Sequence, residues 1–135
     1  MTLDTTRRAL LLRRALLADA IISGATGIAM ILGAGMLGSL FGVPAPLLRW
    51  AGVSLVPFAA FVGVIAARDS IAPGAVRAVI VANALWAVDS VLLLLTGWVE
   101  PSLLGYAFII GQALIVAALA EIQHVTLKTA TLPAY

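Results

Sequence analysis

A chain of 135 residues that is 63% hydrophobic and 10% charged, with mean hydropathy +1.15, lacks the polar surface to cover a water-soluble fold. Soluble domains run at roughly 45–50% apolar and about 25% charged residues. The net charge is only +2 and the basic residues form no arginine-aromatic surface, which excludes a nucleic-acid partner, and the absence of cysteine excludes disulfide and thiol chemistry.

Residues 1–14 carry Arg7, Arg8, Arg13 and Arg14. On a helical wheel Arg7 and Arg14 coincide while Arg8 and Arg13 diverge, so a helical lead-in is expected without a clean amphipathic face. Such a juxtamembrane cluster attracts anionic lipid headgroups, at about 1 kcal/mol per basic residue near the surface. Thr6-Arg7-Arg8-Ala9-Leu10 also resembles a twin-arginine export signal, with Ala18-Asp19-Ala20 in the position of a cleavage site. Arg13-Arg14 interrupt the apolar run, however, and a retained first span is expected.

A bilayer core of about 30 Å takes roughly 20 apolar residues of helix. Four stretches qualify, near Ala15–Leu37, Leu47–Ala67, Val76–Thr96 and Ser102–Ile122, leaving residues 123–135 as a tail. They fill most of the chain, so residues 1–135 form a single transmembrane domain. Arg7, Arg8, Arg13, Arg14, Arg68, Arg77 and Lys128 fall on one side of these spans, and Arg49 alone falls on the other. Positive residues stay cytoplasmic, which places both termini inside and the 39–46 and 97–101 connections outside. Trp50, Trp98, Tyr106 and Tyr135 lie near the expected interfaces as belt aromatics, whereas Trp86 is deep.

Placing Arg13–Gly33 over Arg77–Gly97 aligns Arg13 with Arg77, Asp19 with Asn83, Thr26 with Ser90 and Gly33 with Gly97. Two spans per unit makes this a parallel repeat about the membrane normal, two similar helical hairpins. Small residues recur at packing intervals: Ala20/Gly24 and Ser23/Gly27 in span one, Ala59/Gly63 in span two, Ala107/Gly111 in span four. Close backbone approach past such residues drives helix association in lipid. Bundle packing accounts for most of them, and a homo-oligomer or larger membrane complex would use the rest.

Asp89 is the most costly residue, roughly 18 Å beyond Arg77 along a helix. A central Asp costs about 2.5–3.5 kcal/mol on insertion scales. It is expected to face the bundle interior, protonated or paired. Two partners are available: the Val53 carbonyl, whose helical hydrogen bond Pro57 removes, and Arg49 nearer the outer face. Asn83, Trp86, Asp89 and Ser90 form a polar stripe on span three. Asp19, Ser23 and Thr26 share a face of span one, and Gln112 lies at mid-depth in span four. Together Asp19, Asn83, Asp89, Ser90 and Gln112 either hydrogen-bond the bundle or line a small polar cavity for an ion, solute or proton. Glu121 and His124 end span four at the cytoplasmic face, a favourable place for a histidine.

One histidine and no cysteine exclude a bis-histidine haem within the chain and any cysteine or histidine metal cluster. Lys128 is in the tail, so no Schiff base forms inside the bundle, and no buried serine has a lysine or histidine as base. No cofactor, metal or enzymatic activity is expected. Small multidrug-resistance transporters share the span count, yet their first-span glutamate has only the boundary residue Asp19 as a counterpart here, and the charge bias opposes their inverted pairing. The second half instead resembles a family of small four-span bacterial membrane proteins, through Val81-Ala82-Asn83-Ala84-Leu85-Trp86, Ser90, Gly97-Trp98, Pro101, Gly105 and Gln112-Ala113. That resemblance covers spans three and four well and span one weakly, and it implies a bacterial inner membrane and no particular activity. The expectation is an all-α four-helix bundle in that membrane, acting as an accessory or packing subunit. The competing reading is a small proton-coupled carrier or channel in which Asp89 titrates.

Overall fold

The computed structural model describes the backbone of residues 2–130 and the side chains of residues 5–129. Regular structure there is helical throughout: α1 (Thr2–Leu32), α2 (Ala34–Phe41), α3 (Ala45–Ala67), α4 (Pro73–Thr96) and α5 (Leu103–Ala130). All but α2 are long and apolar enough to cross a membrane. Prolines open α3 and α4 within their first two positions, where a missing N–H costs nothing. Gly42 and Gly97, at φ 68° and 75°, end α2 and α4 in the left-handed conformation that glycine adopts without steric penalty.

Two expected boundaries move. The first span, drawn over Ala15–Leu37, crosses a break at Gly33, beyond which α2 takes up the rest of that span and the first three residues of the expected 39–46 loop. Backbone hydrogen bonds Gly33 to Ala29 and Leu37 to Gly33, both 2.8 Å, bridge the break, so hydropathy does not register it. The fourth span does not stop at Ile122; α5 runs on to Ala130. Gln123, His124 and Thr126 lower the hydropathy there without disrupting the helix. Glu121 and His124 are consequently exposed residues within α5 rather than at its end. Tyr135 lies outside the described residues.

The helices form an antiparallel bundle in which α1 packs along both α3 and α5, and α4 packs along α5. By contrast α3 and α4 touch at only a few residues. The α1–α3 seam is built on the small residues expected to build it. A Cβ on Gly52 would approach the Gly27 carbonyl oxygen to 2.6 Å, Gly24 faces Ala59, and Gly63 faces Ala20. Bare backbone is what lets these two helices come this close.

Each end has its own closure. Where α1 begins and α5 finishes, Leu12, Leu16, Val62, Ile65, Ala66, Val76, Val79 and Leu127 make an apolar plug contributed by all four long helices. The Arg13 guanidinium lies across the C-terminus of α3, donating to the carbonyls of Ala66, Arg68 (2.7 Å) and Asp69 (3.3 Å). Carbonyls left unpaired at a helix end attract a cation for this reason.

At the opposite end α2 is latched onto α5. The Ser102 N–H donates to the Phe41 carbonyl (2.9 Å), its hydroxyl donates to the Leu40 carbonyl (2.8 Å), and the same hydroxyl accepts from the Gly105 N–H (3.1 Å). Phe41 stacks on Phe108 with ring centroids 4.6 Å apart. Met30, Ala34, Val43, Leu48, Leu55 and Ile109 complete the apolar cluster beneath the latch.

Candidate functional site

Between the two apolar ends lie two polar layers, and the expected stripe on α4 divides between them. The first centres on Asp19, which is fully buried. Its carboxylate accepts from the Ser23 hydroxyl (3.0 Å), the Asn83 amide (2.7 Å) and the Gln123 amide (2.7 Å). The Asn83 amide also donates to the Gln123 side-chain oxygen at 3.2 Å. Ser23, Asn83 and Gln123 are themselves buried, and among the described residues no buried side-chain polar atom lacks a partner. Three helices, α1, α4 and α5, are joined through one carboxylate. A network so completely satisfied stiffens a bundle and leaves no vacant bonding position for a solute.

Gln123 falls in the expected tail and was not among the candidate residues. Its position carries a signal nonetheless. It lies eleven residues, close to three full helical turns, beyond Gln112, so both amides face the bundle. Asp19, expected close to the boundary, is buried because the expected lead-in continues α1 without a break and α5 runs past Ile122 to bring Gln123 against it.

The second layer lies nearer α2. The Trp86 indole N–H donates to the Gln112 side-chain oxygen (2.8 Å), and the Gln112 amide donates to the Ser90 hydroxyl (2.9 Å) and to the Ile109 carbonyl (2.9 Å). Ser90 in turn donates to the Trp86 carbonyl at 2.8 Å. The ring closes on itself, fixing the indole orientation and binding α4 to α5.

Asp89 belongs to neither layer. It is exposed, and neither expected pairing forms: among the described residues no hydrogen bond or ion pair joins it to the Val53 carbonyl or to Arg49, which is also exposed. The physical reason is the divergence of α3 from α4. Trp86, Asp89, Ser90 and Leu93 do share the face of α4 turned toward α3, but α3 is too far away to close over it.

What the divergence leaves is a cleft of about 360 Å³. Its α3 wall includes Trp50, Ala51, Ser54 and Leu55, and its floor includes Thr26, Phe41, Phe108 and Gln112. A second cleft of about 310 Å³, between α1 and α5, shares Thr26, Leu55, Trp86, Phe108 and Gln112 with the first. The bundle is therefore hollow around the Trp86–Gln112 pair, and a further cleft of about 370 Å³ lies at the plug end against Leu12, Arg13, Asp69 and Leu127. Ligand sites measure roughly 300–1,000 Å³ and combine apolar walls with a few placed polar groups. The α3–α4 cleft has both properties. Compared with protein families, with curated proteins and with solved structures, the chain matches none.

Proposed function

We propose that this chain is a small non-enzymatic membrane protein that receives an amphipathic, lipid-borne molecule in the cleft between α3 and α4. The carrying observation is the divergence of these helices around an aromatic-walled space with a carboxyl group on its rim. A site that opens sideways between two membrane-spanning helices is reached from the lipid, so its occupant has an apolar body. The charge distribution supports both chain ends on the cytoplasmic side, and with the resemblance of the second half it supports a bacterial inner membrane. Binding of this kind suits an accessory subunit that holds or presents a membrane solute.

The parallel-repeat reading gains one support. Asp19 and Asn83, equivalent residues 64 positions apart, bond to each other, as equivalent residues do when they lie on a pseudo-twofold axis. The two halves then differ at one seam: α1 packs along α5, whereas the equivalent α3–α4 seam is open. The cleft is where the symmetry fails.

Ala51→Phe tests the binding reading by filling the cleft from its α3 wall without adding a tryptophan. With the protein in lipid nanodiscs and Trp98 replaced by phenylalanine, a spin-labelled single-chain amphiphile is expected to quench the fluorescence of the cleft tryptophans, Trp50 and Trp86, beyond the quenching set by lipid partitioning alone. That excess should vanish in the filled variant, with helicity unchanged. Equal quenching in both removes the cleft from consideration. A second reading, a proton-coupled carrier, draws on the two clefts sharing the Trp86–Gln112 partition and on the unpaired Asp89. It requires Asp89→Asn to abolish pH-driven flux in proteoliposomes while expression holds.

A further inference from the structure

We infer that the molecule received by the α3–α4 cleft carries a cationic amine headgroup, which Asp89 holds; this rests on the lateral-binding reading above. The argument is a count of bonding capacity around the cleft. Trp86, Gln112 and Ser90 saturate one another, and the Ser54 hydroxyl donates to the Trp50 carbonyl at 2.9 Å. Among the described residues this leaves three cleft side chains without a hydrogen-bond partner, the Asp89 carboxyl, the Thr26 hydroxyl and the Trp50 indole N–H. Only Asp89 is ionisable, and no arginine, lysine or histidine lines the cleft to pair with it. A carboxyl group left without a partner in an apolar surrounding is best satisfied by a donor that brings its own positive charge, as in an ammonium–carboxylate pair.

The surrounding groups fit the same ligand. Trp50 and Trp86 line the cleft with Asp89, one from each of the two facing helices. Indole faces attract ammonium groups, and most strongly where water is excluded. Leu47, Leu48, Leu55, Leu93 and Ile109 supply the apolar contact for a hydrocarbon tail. A carboxylate-headed lipid meets repulsion from Asp89, and a neutral alcohol forgoes the charge pairing.

The test compares three spin-labelled probes of equal chain length, dodecylamine, dodecanol and dodecanoate, titrated against the protein in zwitterionic nanodiscs with Trp fluorescence as readout. The amine is expected to bind at least roughly tenfold more tightly than the alcohol, the yield of one charge-assisted hydrogen bond. Asp89→Asn should erase that preference while leaving alcohol binding in place, and Asp89→Glu should keep it. If amine and alcohol bind equally to wild type, the headgroup assignment is overturned while the cleft stands. If no probe binds beyond lipid partitioning, the lateral-binding reading falls, and the assignment with it. The wild-type comparison decides the matter even where Asp89→Asn fails to fold.

Discussion

Replacing Asn83 with leucine removes two hydrogen bonds from the Asp19 layer while keeping the number and branching of side-chain heavy atoms. One is the 2.7 Å bond to the Asp19 carboxylate and the other the 3.2 Å bond to Gln123. Hydrogen bonds to charged groups contribute about 1.5–3 kcal/mol. Interhelical hydrogen bonds between neutral groups in a membrane protein average about 0.6 kcal/mol. The sum predicts a loss of roughly 2–3.5 kcal/mol for Asn83→Leu. It is measured as the shift in SDS-induced or thermal unfolding of the protein in mixed micelles, followed by circular dichroism. Pairing the substitution with Asp19→Asn completes a double-mutant cycle, in which a coupling energy above about 0.5 kcal/mol is expected for residues in direct contact. A stability change for Asn83→Leu within about 0.5 kcal/mol of zero, the range of featureless surface positions, would refute the view that this carboxylate ties three helices together.

Gly52→Ala should destabilise by about 1–3 kcal/mol, the cost of overpacking, because its Cβ meets the Gly27 carbonyl and the Ile31 side chain within 3 Å. Gly111→Ala, which meets nothing within 4 Å, should leave the same unfolding midpoint unchanged or raised. Arg13→Met keeps the apolar stem and removes the donors to the α3 C-terminus; a loss of about 1 kcal/mol is expected, with faster amide exchange at residues 66–69 as its local signature. Gly105→Ala drives a methyl group into the Phe41 carbonyl, which lies 2.0 Å from the ideal Cβ position. Release of α2 should follow, read as new protease sensitivity within 33–44.

Hydropathy alone locates the four crossing helices, because about 20 consecutive apolar residues have few alternative fates. It misplaces their ends wherever a polar residue sits on an inward face. Gln123 is the instructive case: the feature that lowers local hydropathy is a side chain bonded to Asp19 inside the bundle. The small-residue intervals read correctly at Gly24, Gly27 and Gly63 since the α1–α3 seam depends on backbone proximity, which only side-chain size controls. Asp89 was not legible in the same way. A helical wheel puts it in a sector with Trp86, but whether that sector is covered depends on how far α3 stands from α4. That spacing follows from the α1–α3 and α4–α5 seams taken together, which the pattern of α4 alone does not encode.

Because α3 leans on α1 and α4 leans on α5, the molecule resembles two stiff boards joined along one long edge. The plug and the latch pin the ends of that edge, and the free margins face the hydrocarbon. The plug and the short 68–72 connection tie those margins at one end only, and along the rest of their length acyl chains press on them. Densely ordered chains are expected to narrow the gap and fluid ones to relax it, so the width of the cleft should follow the physical state of the bilayer even when the protein itself is unmodified.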